Sequence, residues 1–148
     1  MPGDSKPLLS EQDDIVFVVE RDEVVRSALH FILDDRNETH SFANLDQAFV
    51  KAADRKPNIV LLGIGFVRNN GEETLAEIAM RLPGTRILIV ANSLNDPIAC
   101  ASLRWGAHGV LGKPISFDSV CAKVDALLDR CEIPPITPGL LPQSADLP

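Results

Sequence analysis

Short apolar runs and longer amphipathic stretches alternate along this chain, and the hydrophobic period changes with each. Ile15 to Val19 is an unbroken apolar run of the kind that fills a strand buried on both faces. From Glu23 to Leu33 the apolar positions Val25, Leu29 and Ile32, joined by Ala28, fall on one helical stripe, and the polar cluster Asp34 to Asn37 ends it. A brief strand over Thr39 to Phe42 leads to Asn44, an N-cap for a helix through Ala53 with Leu45, Ala48, Phe49 and Ala52 inward. After Pro57, Ile59 to Leu62 reads as another buried strand, followed by a glycine-punctuated loop and a helix from Glu72 to Arg81 that Pro83 and Gly84 stop. Ile87 to Val90 is again strand-like. Asp96 and Pro97 then supply an N-cap and a first-turn proline for a helix to about Trp105. Gly109 to Leu111 is the last predicted strand, and Phe117 to Cys131 carries Val120, Val124, Leu127 and Leu128 at helical spacing.

Five short apolar strands alternating with five amphipathic helices imply right-handed crossovers and a parallel sheet covered on both faces. The expected fold is a flavodoxin-like three-layer α/β/α sandwich with strand order 2-1-3-4-5. In such sheets the working site lies beyond the carboxyl ends of the strands, where the strand order reverses. The residues just past those ends read Glu20-Arg21-Asp22, Gly63, Ala91-Asn92-Ser93 and Gly112-Lys113-Pro114.

Composition changes the picture mainly by exclusion. The chain of 148 residues is 45% hydrophobic and 24% charged, in the range for one compact domain. A formal net charge of -7 disfavours sequence-independent contact with nucleic acid or an anionic membrane, both of which need a positive footprint. No apolar run approaches the ~20 residues that span a bilayer, and the N-terminus lacks a basic-then-apolar export signal, so a cytoplasmic location is expected. Cys100, Cys121 and Cys131 lack CxxC spacing, so the expectation is free thiols with neither a disulfide framework nor a zinc site. Both ends read as tails: residues 1–13 are polar, and 132–148 carry five prolines without apolar periodicity. The C-terminal one is expected to be an extended linker or a short docking segment. Residues 14–131 form the predicted domain.

The spacing of the strand-end residues is specific. From Gly63 it is 8 residues to Gly71, 28 to Ala91 and 50 to Lys113, and both Asn70-Gly71 and Lys113-Pro114 are present. On these landmarks the stretch from Asp14 to Cys131 resembles a receiver domain of the two-component response regulators, a CheY-like fold with the texture of FixJ-type receivers. The resemblance implies an acidic pair after strand 1 that holds Mg2+, an aspartate ending strand 3 that takes a phosphoryl group, a Ser or Thr ending strand 4, and a Lys-Pro after strand 5.

The sequence departs from that pattern at the chemistry. Gly63 stands at the acceptor position, and an acyl phosphate needs a carboxylate oxygen that glycine lacks. Glu72 and Glu73 belong to the next helix and read as solvated first-turn residues that suit the helix dipole. The acidic pair has become Glu20 and Arg21, so Mg2+ binding is expected to be weak or absent and no other cofactor is expected. Arg21 is expected either to place its charge beside Glu20 or Asp22 or to point to solvent. Ala91 replaces the switch hydroxyl, with Ser93 a loop residue, and Val110 stands at the position of the aromatic that follows that hydroxyl. Lys113 is retained, either paired with Glu20 or solvent-facing. The losses at Gly63, Arg21 and Ala91 fall on one mechanism and spare the scaffold.

What the resemblance then implies is a phosphorylation-independent pseudo-receiver, not an enzyme. Its expected role is as a protein-interaction module that binds a kinase, a regulator or a second copy of itself as a homodimer. The expected face is built from helix 4, strand 5 and helix 5, with Cys100, Leu103, Arg104, Trp105, His108 and Val110 on it. Trp105 is a candidate hot spot if exposed and an ordinary helix-end residue if half-buried, and His108 reads as a loop residue. The alternative is a sensor whose vacated pocket, Glu20, Arg21, Asp22, Gly63, Ala91 and Lys113, holds a small anion through Arg21 and Lys113. An enzyme is the weakest reading, because no GxSxG, HExxH, P-loop or GxGxxG element appears and Gly63-Ile64-Gly65 lacks the remainder of a dinucleotide loop.

Overall fold

The computed structural model describes residues 14–128. Both expected tails and residues 129–131 of the last expected helix lie outside the described residues. Five parallel strands, β1 (Ile15–Val19), β2 (Glu38–Phe42), β3 (Ile59–Gly63), β4 (Arg86–Ala91) and β5 (Gly109–Gly112), pair in the order β2-β1-β3-β4-β5. Five α-helices connect or follow them: α1 (Glu23–Asp34), α2 (Leu45–Ala52), α3 (Gly71–Arg81), α4 (Pro97–Arg104) and α5 (Phe117–Leu127). The glycine-punctuated loop after β3 contains a 3-10 turn over Ile64–Phe66. Among the described residues no helix is long and apolar enough to cross a membrane.

The strand period explains the two cores. Side chains alternate across a strand, so Phe17, Val19, Val60, Leu62, Ile87 and Ile89 face one layer, where Ala48 of α2, Leu75 and Ile78 of α3 and Ala99 of α4 cover them. Val16, Val18, Ile59, Leu61, Leu88 and Val90 face the other, against Leu29 and Leu33 of α1 and Val120 and Val124 of α5. Each fully buried aliphatic side chain contributes about 1.5–3 kcal/mol relative to exposure, so the strands, not the loops, hold the scaffold. The strand ends can therefore vary while the sheet stays in register.

Caps set where the helices begin. Asn44 accepts the Gln47 amide at 2.9 Å, and Asp96 accepts those of Ile98 and Ala99 with Pro97 in the first turn, both as the sequence predicts. Two further caps fix elements beside the site: Asp22 accepts from Val24 and Val25, and Ser116 with Ser119 makes a reciprocal capping box on α5.

Edge strand β2 is pinned by charge. Arg55 donates through two of its guanidinium nitrogens to Glu38, and His40 Nε2 lies 2.8 Å from the same carboxylate. The Arg55 hydrogen bonds, followed by that of His40, lower the Glu38 pKa from 4.5 to about 2. A carboxylate whose folded pKa lies below its unfolded value adds stability above the unfolded value and loses it as pH falls toward the folded one. Urea denaturation between pH 6 and pH 2.5 is thus expected to show stability falling below about pH 4.5, and Glu38→Gln should flatten that part of the profile; an unchanged profile would remove Glu38 from the account.

Candidate functional site

The carboxyl ends of β1, β3, β4 and β5 bring Glu20, Gly63, Ala91 and Lys113 to one edge of the sheet. Gly63 is the last residue of β3, between β1 and β4, and its register partner on β4 is Val90. Glu20 follows β1, and its amide extends the sheet by donating to the Phe42 carbonyl at 3.0 Å. Its side chain folds back over Gly63. A β-carbon on residue 63 would lie 2.9 Å from Glu20 Cδ and 3.2 Å from Oε2, and nearer still to Oε1, all inside van der Waals contact. The carboxylate is held there by the Asp22 amide, which donates to Oε2 at 2.9 Å. Glycine and inward glutamate thus fit one another: the absent side chain of one is the space for the other.

The neighbouring charges are committed elsewhere. Asp22 spends one carboxylate oxygen on the amides of Val24 and Val25. The Arg21 guanidinium lies over the Phe66 ring, 4.6 Å from its centroid, so neither expectation for it holds in full: it is exposed but stacked, and among the described residues it makes no ion pair with Glu20 or Asp22. Such a cation–π contact at an exposed site contributes about 0.5–1 kcal/mol. The cation that does secure the β1–α1 loop is Arg26, whose Nη1 donates to the Glu20 carbonyl at 2.8 Å. Nothing in the hydrophobic pattern marks Arg26, because its role depends on a helix side chain turning back to the preceding loop.

On the other side of the crevice, Ala91 is fully buried at the end of β4. Lys113 is exposed, with Nζ 3.4 Å from Asn92 Oδ1; no ion pair joins it to Glu20 among the described residues. The Lys113–Pro114 peptide is cis. The β4–α4 turn closes on itself through Ser93, whose Oγ accepts the Asn95 amide, and it folds against Gly112, where a β-carbon would meet Leu94 N at 3.0 Å. Arg68 of the β3–α3 loop reaches the Asp96 carboxylate at 3.4 Å, linking two of the loops that border the site. Glu72 and Glu73 are exposed in the first turn of α3, as expected.

The donor set does not fit Mg2+. That ion asks for near-octahedral oxygen ligands, usually carboxylates and phosphate. Here Glu20 is turned onto Gly63, Asp22 caps a helix, and residues 21 and 63 offer no carboxylate. Among the described residues no three His, Cys, Asp or Glu side chains cluster as metal ligands.

The expected interaction face is only partly exposed. Cys100, Leu103, Arg104 and His108 are exposed. Val110 is buried in the core, which corrects its place on that face, and Trp105 is half-buried and packed on the same core, the second of the two alternatives for it. A β-carbon on Gly71 would lie 2.7 Å from the Trp105 ring, so the glycine of Asn70-Gly71 is the floor on which the indole rests. His108 is more than a loop residue: its Nδ1 accepts the Ile87 amide at 3.0 Å while its own amide donates to the Ile87 carbonyl. Burial, and secondarily the charge of Arg86, lowers its pKa, which suits an imidazole that must stay neutral to accept.

Comparison with known proteins decides the family. The model of the response regulator receiver domain matches residues 16–125. The chain belongs to that family. The receiver is also 30% identical over 112 residues to the transcriptional regulatory protein LnrK of Bacillus subtilis (strain 168), an alignment covering 74% of this chain and 51% of LnrK. It thus spans about half the length of that relative. Among solved structures, a response regulator from Thermotoga maritima superposes with a TM-score of 0.71 at 19% identity, covering 79% of this chain and 98% of that one. NtrX from Brucella abortus gives a TM-score of 0.72 at 25% identity over 82% of this chain and 28% of NtrX. The CheY-like fold with strand order 2-1-3-4-5 is therefore the fold of this receiver.

The Glu20–Gly63 fit makes a quantitative prediction. Gly63→Ala is expected to displace the Glu20 carboxylate and forfeit the Asp22 hydrogen bond at a cost of about 1 kcal/mol. In a Glu20→Ala background the same substitution should cost close to nothing, so a double-mutant cycle by urea denaturation should give a clear coupling energy. Additive costs would show that the two residues do not share the space.

Proposed function

We propose that this receiver of two-component signalling works without phosphorylation, as a protein-interaction module whose binding is set by something other than a phosphoryl group. The observation that carries the reading is the Glu20 carboxylate lying in the space where a residue-63 side chain would begin. Phosphoryl transfer to a receiver needs a carboxylate nucleophile and electrostatic neutralisation of the transferring group. Gly63 supplies no nucleophile, and the crevice holds a carboxylate where neutralising charge would be required. Ala91 has no hydroxyl with which to read out a phosphoryl group, and the donor set argues that Mg2+ binding is weak or absent. The domain keeps its sheet, helices and surface, and these are what a docking module uses. Its partner would be a kinase, a regulator or a second copy of the chain, engaged through the exposed part of the α4–β5–α5 face at Cys100, Leu103, Arg104 and His108.

The same carboxylate argues against the anion-sensor alternative. A negative group in the crevice repels an anion, Arg21 is stacked on Phe66, and Lys113 is turned to Asn92.

Incubation with acetyl phosphate and Mg2+, followed by intact-mass measurement, tests the reading. The expected result is no adduct. A stoichiometric phosphate adduct, on Glu20 or elsewhere in the crevice, would overturn it.

A further inference from the structure

The turn between α4 and β5 is closed by a histidine. β4 bonds to β3 through Arg86, whose amide donates to the Asn58 carbonyl at 3.0 Å, so the amide and carbonyl of Ile87 point the other way, toward β5. The β4–β5 ladder begins only one residue later, at Leu88 and Gly109. Residue 108 completes the Ile87 pair instead: the His108 amide donates to the Ile87 carbonyl at 2.8 Å, and the Ile87 amide donates to His108 Nδ1 at 3.0 Å. The imidazole thus serves as one further rung of the sheet. Ile87 is buried, so its amide depends on that acceptor.

A backbone amide only donates, which fixes Nδ1 as the bare nitrogen of a neutral ring and leaves the hydrogen on Nε2. Protonation adds a hydrogen at Nδ1 and sets donor against donor. The surroundings also oppose the charged ring. Burial, then the cation of Arg86 on β4, lowers the His108 pKa, and Arg86 is itself held beside α5 by its Nε, which donates to the Leu127 carbonyl at 3.2 Å. Among the described residues Arg104 of α4 and Lys123 and Asp125 of α5 make no ion pair with the imidazole, and Asp125 pairs with Arg36. β5 carries no titratable side chain.

What the rung secures is short and hinged. The Trp105 and Ala107 amides both donate to the Ser102 carbonyl at 3.0 Å, and the chain turns at Gly106, whose φ of 117° lies in a region that favours glycine. Trp105 packs on the core with its ring against Gly71. We propose that His108 is a proton-operated latch: neutral, it holds the 105–108 turn to β4; protonated, it lets the turn and Trp105 move off the core and reshapes the exposed surface around Leu103 and Arg104. The latch rests on the geometry of the turn and is independent of whether that surface docks a partner.

Trp105 is the single tryptophan of the chain, so its fluorescence reads the turn directly. Because the folded pKa lies below the ordinary histidine value of 6.5, the latch is closed at neutral pH and opens as pH falls beneath that value. The emission maximum should move to the red between about pH 7.5 and pH 5 while far-UV circular dichroism stays constant. His108→Asn puts an amide oxygen, which accepts but does not titrate, near the place of Nδ1 and should abolish the movement. His30 and His40, on α1 and on β2 at the opposite edge of the sheet, are unaltered in that variant. An emission maximum that stays put in the unmodified chain would overturn the proposal. So would an equal movement in His108→Asn, which would assign the response to other groups, or loss of the dichroism over the same range, which would assign it to unfolding of the whole domain.

Discussion

The arrangement at the sheet edge depends on one close approach, that of the Glu20 carboxylate to the α-carbon of Gly63. It requires residue 63 to lack a side chain, and it requires the Asp22 amide to hold the carboxylate in place. Once Glu20 is so placed, its neighbours find other partners: Asp22 caps α1, Arg21 rests on Phe66, Arg26 ties the loop backbone, and Lys113 turns to Asn92. Each of these side chains has a partner within the chain. An edge built to be completed by a metal ion and a phosphoryl group would instead leave carboxylates facing one another, at an electrostatic cost that only a bound cation relieves.

This edge can change without disturbing the fold because the two depend on different residues. The sheet is held by alternating side chains packed in two layers, and none of the altered positions contributes a large apolar side chain to either. Ala91 is buried but small, Gly63 contributes only backbone, and Glu20 and Arg21 lie past the end of β1. Loop-to-loop contacts such as Arg68 with Asp96 then border the site at little energetic cost, since exposed ion pairs contribute only about 0–1 kcal/mol.

The hydrophobic period made the fold legible: strand runs from Ile15, Ile59 and Ile87 and helical stripes such as that through Leu29 gave the order of elements, with most ends displaced by a residue or two where caps and ladder bonds, rather than hydropathy, decide, and with the last helix, expected through Cys131, ending at Leu127. The strand-end residues were legible too, because topology alone places Glu20, Gly63, Ala91 and Lys113 together. Their contacts were not. That Arg21 would choose an aromatic ring over a carboxylate, or that Glu20 would fill the glycine's space, depends on side-chain rotamers and on the 3-10 turn that positions Phe66, none of which leaves a periodic trace. Val110 was placed on the helix 4–strand 5 face by position, whereas the inward phase of β5 turns it to the core, and the choice between an exposed and a half-buried Trp105 rests on the floor at Gly71, which sequence alone does not show. His108 likewise looked idle, since its hydrogen bond to Ile87 is a long-range contact.

The central claim is that the Glu20 carboxylate already fills the crevice at Gly63. Titration with Mg2+ and beryllofluoride, followed through the amide signals of Glu20, Gly63, Ala91 and Lys113, addresses it most directly. The account predicts that these signals stay where they are at millimolar ligand; saturable movement of all four together would contradict it.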